Sequence, residues 1–176
     1  MNKPLWQPSN KLKQDSILQD FCHYINFKYS SNFKELWQWS VKNPEEFWSK
    51  FWDYSKIIGD KGSVIIQKDK VFKKSKFFPD SKLNYAENIL KKKSNDIAIN
   101  FLSEKGFEEY ITWNNLYEKV CKLSNYLKKL SLKKGDRVAA YVPNKIETII
   151  SFLACAKNGI ISVSYTHLTL PTRLSV

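Results

Sequence analysis

Arginine is nearly missing from this chain: Arg137 and Arg173 are the only two among 176 residues, although the formal net charge is +12. Arginine is the usual bidentate reader of guanine edges, so positive charge carried by lysine argues against sequence-specific nucleic-acid recognition. Histidine is as scarce. His23 and His167 lie far apart, and no Ser/His/Asp set follows from their spacing. The three cysteines, Cys22, Cys121 and Cys155, stand singly. No Cys-x-x-Cys or Cys/His spacing suggests zinc, and Cys22-His23 reads as a structural pair. The five glycines form no Gly-x-Gly-x-x-Gly fingerprint. Gly59-Asp60-Lys61-Gly62-Ser63 tempts as a phosphate loop, but Lys61 precedes the second glycine and no strand leads in. It is expected to be a turn before a strand at Val64-Ile65-Ile66. Long hydrophobic runs are absent too. The longest apolar stretch, Ile146 to Ile161, is broken by Glu147, Lys157 and Asn158 and is too short to span a bilayer. Met1 to Asn10 is polar and no apolar core follows, so no signal peptide is read and the expected compartment is the reducing cytoplasm.

Lysine, asparagine, isoleucine and aromatic residues are abundant instead. Lysines cluster at Lys73-Lys74-Lys76, Lys91-Lys92-Lys93, Lys128-Lys129 and Lys133-Lys134. Such clusters usually form solvated surface, the alternative being contact with an anionic ligand or a membrane surface. Residues 1–93 hold most of the tryptophans. Phe47, Trp48, Phe51 and Trp52 follow Asn43-Pro44, a helix start with proline in its first turn. This stripe reads as a helix pressed onto a core rather than a stacking platform for bases.

Residues 111–161 read as one connected unit. Thr112 is a good N-cap, and Leu116, Val120, Leu123, Leu127 and Leu130 recur at helical spacing behind it. Lys133-Lys134-Gly135-Asp136 is a turn, Arg137 to Val142 a buried strand, and Ile146, Ile149, Ile150 and Leu153 the face of a second helix. Asp136 and Arg137 are expected at the turn and strand start rather than in charge chemistry. Gly159 suits a C-cap, and Ile160-Ile161 opens another strand. Upstream, Asp96–Leu102 and Phe107–Ile111 read as strands around a turn at 103–106. Strand, helix, strand with a lead-in helix is a βαβ unit, which builds parallel sheet. Ligands of such sheets sit beyond the carboxyl ends of the strands, here near Pro143-Asn144 and after Ile161.

Three blocks carry a resemblance. Leu132-Lys133-Lys134-Gly135-Asp136-Arg137-Val138-Ala139 followed by Pro143-Asn144 resembles the early part of the adenylate-forming acyl-CoA ligase superfamily. Phe77-Phe78-Pro79-Asp80-Ser81-Lys82-Leu83-Asn84-Tyr85-Ala86-Glu87-Asn88 resembles a pattern of its acetoacetate–CoA ligase branch. Leu5-Trp6-Gln7-Pro8-Ser9, Leu36 to Val41 and Pro44 to Trp48 resemble that branch's N-terminal segment. The resemblance implies an α/β fold: a helical N-terminal cap (1–93), then the truncated start of a mostly parallel βαβ nucleotide domain (94–163). It implies an AMP-forming acid–thiol ligase acting on acetoacetate, ATP and CoA with Mg. In such enzymes a carboxylate attacks the α-phosphate of ATP, and the CoA thiol then displaces AMP. The Gly/Ser/Thr-rich phosphate loop, the ribose-binding acid and the mobile lysine all lie downstream of Val163 in the family. No catalytic, cofactor-binding or metal-binding residue is therefore assigned, and this polypeptide alone is expected to be inactive. No specific nucleic-acid partner and no membrane contact are expected. The alternatives are an acetyl- or propionyl-CoA ligase sibling and a stand-alone lysine-rich nucleic-acid-binding module.

The tail breaks the pattern. Residues 1–163 contain 27 Lys, 14 Asn and 15 Ile, and the last 13 residues contain none of the three. Ser164-Tyr165-Thr166-His167-Leu168-Thr169-Leu170-Pro171-Thr172 resembles translated read-through of a sequencing adapter. Residues 164–176 are thus expected to be non-native.

Overall fold

The computed structural model describes residues 5–28 and 33–164. The chain divides into two compact units, the first ending at Lys82 and the second beginning at Leu83. That division lies upstream of the expected boundary at Lys93, because the helix that opens the second unit packs within it.

The first unit starts with four helices: α1 (Asn10–Gln14), α2 (Ile17–Tyr24), α3 (Phe33–Lys42) and α4 (Pro44–Tyr54). Serines start the first two. The Ser9 hydroxyl accepts from the Leu12 amide, and the Ser16 hydroxyl from the Gln19 amide. Pro44 opens α4, with Glu45 and Glu46 in its first turn where the helix dipole favours anions. Phe21, Cys22, Ile25 and Leu36 are buried. Phe21 is the hub, meeting the rings of Phe47, Phe51 and Tyr54 edge-on at 6.0, 5.8 and 5.1 Å. Trp48 packs on Phe77 at 5.3 Å and Trp52 on Phe78 at 4.9 Å. The aromatic stripe of α4 thus packs against its own unit.

Short strands follow: β1 (Gly59–Asp60), β2 (Ile66–Gln67), β3 (Lys76–Phe77) and β4 (Lys82–Leu83), with a 3-10 turn at Phe72–Lys74. The strand expected at residues 64–66 is instead the two-residue β2, antiparallel to β3 with Ile66 opposite Phe77. Its partner cannot run on, because Phe78 adopts a positive φ of 48° and Pro79 follows.

The second unit contains α5 (Tyr85–Ile89), β5 (Ile97–Leu102), β6 (Glu108–Thr112), α6 (Trp113–Lys129), β7 (Arg137–Ala140), α7 (Ile146–Lys157) and β8 (Ile161–Ser164). β5 and β6 form an antiparallel hairpin that turns at Gly106, whose φ is 76°. Thr112 caps α6 as expected, its hydroxyl accepting from the Asn115 amide at 3.3 Å. β7 and β8 pair in parallel, Arg137 opposite Ile161 and Ala140 opposite Ser164, with α7 as the crossover. The buried core runs through α5, β6, α6 and α7, including Ala86, Ile111, Leu116, Val120, Leu127, Ile146, Ile150 and Leu153.

Two residues of the expected helix faces turn outward. Leu130 is the C-cap residue of α6 and is 54% exposed, while Ile149 on α7 is 41% exposed. β7 also ends at Ala140 rather than Val142, where its pairing with β8 stops and the chain turns toward Pro143.

Candidate functional site

The turn before β7 is built from its own backbone. The Asp136 carboxylate accepts from the Lys133 amide at 2.6 Å, and the Asp136 carbonyl accepts from the Ile161 amide at 2.8 Å. Gly135 has φ 93°, and its amide donates to the Gly159 carbonyl at 2.9 Å. Gly159 ends α7 with φ 69°; a Cβ there would sit 2.9 Å from Cγ of Lys134. Asp136 is therefore a turn residue, and Lys134 lays its alkyl stem over a position that admits only glycine without adjustment.

Beyond β7, residues 141–145 lead into α7. The Thr148 hydroxyl donates to the Pro143 carbonyl at 2.7 Å, and the Thr148 amide to the Lys145 carbonyl at 3.1 Å. Tyr141 is 82% exposed. This loop is the carboxyl-end crest where a ligand of a doubly wound sheet lies. Residues 165 onward lie outside the described residues, and with them most of the suspected tail.

Two polar clasps hold the crossover in place. The Asn84 amide group donates to the carbonyls of Ala156 and Lys157 at 2.9 and 3.3 Å, while its oxygen accepts from the Glu87 amide and starts α5. One side chain thus closes the end of α7 and caps α5. Ser124, buried on the core side of α6, donates to the Asn158 side-chain oxygen at 3.0 Å, and the Asn158 amide group donates back to the Ser124 carbonyl at 2.9 Å. Sequence periodicity missed both clasps, because each joins residues far apart along the chain.

The groups with nucleophilic or ligating chemistry are kept apart. Burial pushes the thiols of Cys22 and Cys155 up, which holds them protonated and inert. His23 shares a 2.9 Å hydrogen bond with Gln19 on α2. Among the described residues no three His, Cys, Asp or Glu side chains gather where they could hold a metal ion. The Gly59–Ser63 loop closes on its own unit. Lys61 reaches both carboxylate oxygens of Asp53 at 2.9 Å and Ser49 at 3.1 Å, and the Asp60 carboxylate accepts from the Gly62 amide.

The lysine clusters divide. Lys92 pairs with Asp96 at 2.8 Å and lies 5.8 Å from the Trp113 ring. Lys93 sits over the Tyr117 ring, with Lys157 at 5.7 Å from the same ring. Burial and then the nearby Lys157 hold Lys93 below its ordinary value, partly offset by Cys121. A hydrogen bond to Cys121 pushes Tyr117 up. Lys128 and Lys129 occupy the last turn of α6, where the helix dipole favours cations. Lys73, Lys74 and Lys76 have no such packing role.

Comparison with known proteins gives two family matches. The model described as AMP-binding enzyme matches residues 86–175, and that described as acetyl-coenzyme A synthetase N-terminus matches residues 33–89. Acetoacetyl-coenzyme A synthetase of Rhizobium meliloti is 32% identical over 163 residues, covering 90% of this chain and 25% of the relative. Acetoacetyl-CoA synthetase of Xenopus tropicalis is 37% identical over 166 residues, covering 90% and 24%. The solved acetoacetyl-CoA synthetase from Streptomyces lividans matches with a TM-score of 0.80 at 24% identity, over 93% of this chain and 26% of that one. At that identity the likeness establishes the fold, α/β. The chain spans about a quarter of the length of the curated relatives it matches.

Proposed function

Because the chain belongs to the AMP-binding enzyme family, we propose that it is the N-terminal part of an ATP-dependent acetoacetate–CoA ligase. The parent reaction converts acetoacetate, ATP and CoA to acetoacetyl-CoA, AMP and diphosphate, with Mg, in the cytoplasm. The observation that carries this reading is the order of its parts. A segment similar to an acetyl-coenzyme A synthetase N-terminus leads through Asn84 into a parallel β7–α7–β8 crossover of the AMP-binding family. The relatives above, named acetoacetyl-CoA synthetases, favour acetoacetate as the acid.

Among the described residues no three His, Cys, Asp or Glu side chains gather for a metal ion, and Lys61 of the glycine stretch is held by Asp53, so no step of adenylate formation is assigned to them. Their part is scaffolding: β7 and β8 begin the sheet, α7 and the two clasps fix their separation, and residues 141–145 give the first wall of the crest. The domain reading goes with this: residues 1–93 as cap, 94–163 as the opening of the nucleotide domain, and 164–176 as a non-native tail. The family match itself runs to residue 175, and the loss of Lys, Asn and Ile after residue 163 is what sets the tail apart.

The test is AMP release by the parent recovered from the same source, with acetoacetate, acetate and propionate in turn. Release with acetoacetate well above the others, and none from the 176-residue chain, is the expected result. Preference for acetate or propionate would move the parent to the sibling ligases, a reading that the name of the N-terminal family model favours. Release by this chain alone would refute its proposed inactivity.

A further inference from the structure

The β2–β3 hairpin carries an exposed apolar turn flanked along the chain by lysines that form no ion pair among the described residues. Phe72 is 81% exposed and Val71 beside it 45% exposed. Lys70, Lys73, Lys74 and Lys76 flank them along the hairpin, all exposed, and none forms an ion pair among the described residues. The tip is nevertheless held firmly. The Asp69 carboxylate accepts from the Val71 amide at 2.8 Å, and the Asp69 amide donates to the Ser75 hydroxyl at 3.0 Å. Backbone bonds from Lys74 to the Val71 carbonyl and from Ser75 to the Phe72 carbonyl close the 3-10 turn. At its base Phe77 packs on Trp48, and Lys68 pairs with Glu45 at 3.7 Å. An apolar side chain held out in water by this many local bonds is ordered before any partner arrives, so a partner need not supply that ordering.

We propose that this hairpin docks on an anionic lipid surface, with Phe72 and Val71 entering the headgroup layer and the four lysines meeting lipid phosphates and carboxylates. Charge complementarity selects an anionic partner. The apolar pair selects a lipid one: two neighbouring exposed side chains, one aromatic and one aliphatic, on a firmly held turn can enter a headgroup layer, whereas base stacking uses successive aromatic rings along a groove that tracks the nucleic-acid backbone. Lysine, a strongly hydrated point charge, serves headgroup contact without the bidentate geometry that base reading uses. No helix of the described residues is long and apolar enough to cross a membrane, so docking here is peripheral. This inference departs from the expectation of no membrane contact and concerns the 176-residue chain itself.

The experiment is flotation of the 176-residue chain with vesicles through a density gradient, in which protein aggregates sink and bound protein rises. Vesicles of phosphatidylcholine are compared with vesicles containing about a third phosphatidylserine, at low and physiological salt. Flotation on the anionic vesicles alone, weakened by salt, is expected. K73E/K74E should lower the partition at least about 25-fold, since each lysine near such a surface contributes about fivefold. F72A should lower it about tenfold through lost apolar insertion. K128E/K129E, with the same change of net charge elsewhere in the chain, should change it less than about twofold, because charges beyond a Debye length are screened. Unchanged far-UV circular dichroism certifies each variant. Absence of flotation, equal flotation on neutral vesicles, or equal loss in K128E/K129E would overturn the proposal. So would single-stranded DNA binding that F72A and K73E/K74E abolish while vesicles are ignored.

Discussion

Among the described residues of the second unit, twelve buried apolar side chains, most of them on α5, β6, α6 and α7, join into one largely aliphatic core, whereas the first unit buries four and fills the remainder with rings. Aliphatic side chains at helical spacing bury by periodicity, so each residue's neighbours follow from its helix face. The rings of the first unit meet mostly edge-on and at angles, with Phe47 and Phe51 stacked, and much of their surface stays open. Beside Phe21 lies an apolar groove of about 300 Å³ lined by Ile17, Leu18, Leu36, Trp37 and Phe51 among others. The second unit should therefore be the stiffer one and the first the more deformable. Residue-resolved native-state hydrogen exchange reads the two separately.

The largest expected effect is in the closed core. Leu116, 2% exposed, cannot be shortened without leaving a cavity. Leu116→Ala should lower the stability of the second unit by about 2–5 kcal/mol, with protection lost across α6 and α7 and kept in α2 and α4. Phe21→Ala should cost the first unit about 1.5–3 kcal/mol, below the usual range for a buried phenylalanine, because the neighbouring groove lets the rings collapse inward. A larger loss for Phe21→Ala than for Leu116→Ala would break the comparison. Next come the backbone clasps. Asn84→Ala removes a cap and two carbonyl partners, and Gly159→Ala forces a side chain onto φ 69° and toward Lys134. Each should cost the second unit about 1–2 kcal/mol, measured as a shift in its urea midpoint.

The smallest effects are in pH, and they differ between the units. In the second, hydrogen bonds from Lys92 and then Ser94 hold Asp96 below the usual carboxylate range, and a hydrogen bond from Lys122 does the same for Glu118. A depressed carboxylate stabilises the fold above its unfolded pKa. That contribution is lost as pH falls from about 5 through the folded value. In the first unit Tyr54 donates to Asp20 at 2.8 Å, and this bond, then burial, pushes the phenol up. Its contribution is present below the unfolded tyrosine value and lost as pH rises through the folded one. D96N/E118Q should flatten the acid limb of the second unit, and Y54F the alkaline limb of the first. Amide-exchange midpoints against pH measure both, and an acid limb unchanged in D96N/E118Q would contradict the assignment.

The same contrast explains what could be read in advance. Thr112, the Leu116–Val120–Leu127 face, the turn at Asp136 and the glycine at 159 were legible because each is a local rule: a cap, a period, a turn residue, a left-handed position. Leu130 and Ile149 fit the period yet face solvent, since apolar spacing shows that a position can be buried, not that a neighbour covers it. The clasps at Asn84 and Ser124–Asn158 join residues far apart in sequence, which no window along the chain connects. In the first unit the role of α4 was visible, but the hub at Phe21 was not, because its ring partners lie two helices away, on α4. Of the candidate site, the position of residues 141–145 beyond the carboxyl end of β7 followed from the βαβ order alone, whereas the glycine stretch at 59–63, expected to be a turn, instead opens with the two-residue strand β1, because Gly59 and Asp60 pair with β4, and the Asp60 carboxylate accepts from the Gly62 amide.

The most direct test of the central claim, that this chain opens an acetoacetate–CoA ligase, is to read the source DNA from codon 155 well past codon 176. The account predicts that the frame leaves the present tail after codon 163 and continues into a Ser-Pro-Asp-Phe-like segment and then a Gly/Ser/Thr-rich loop. A confirmed Ser164 to Val176 followed directly by a stop codon would contradict it.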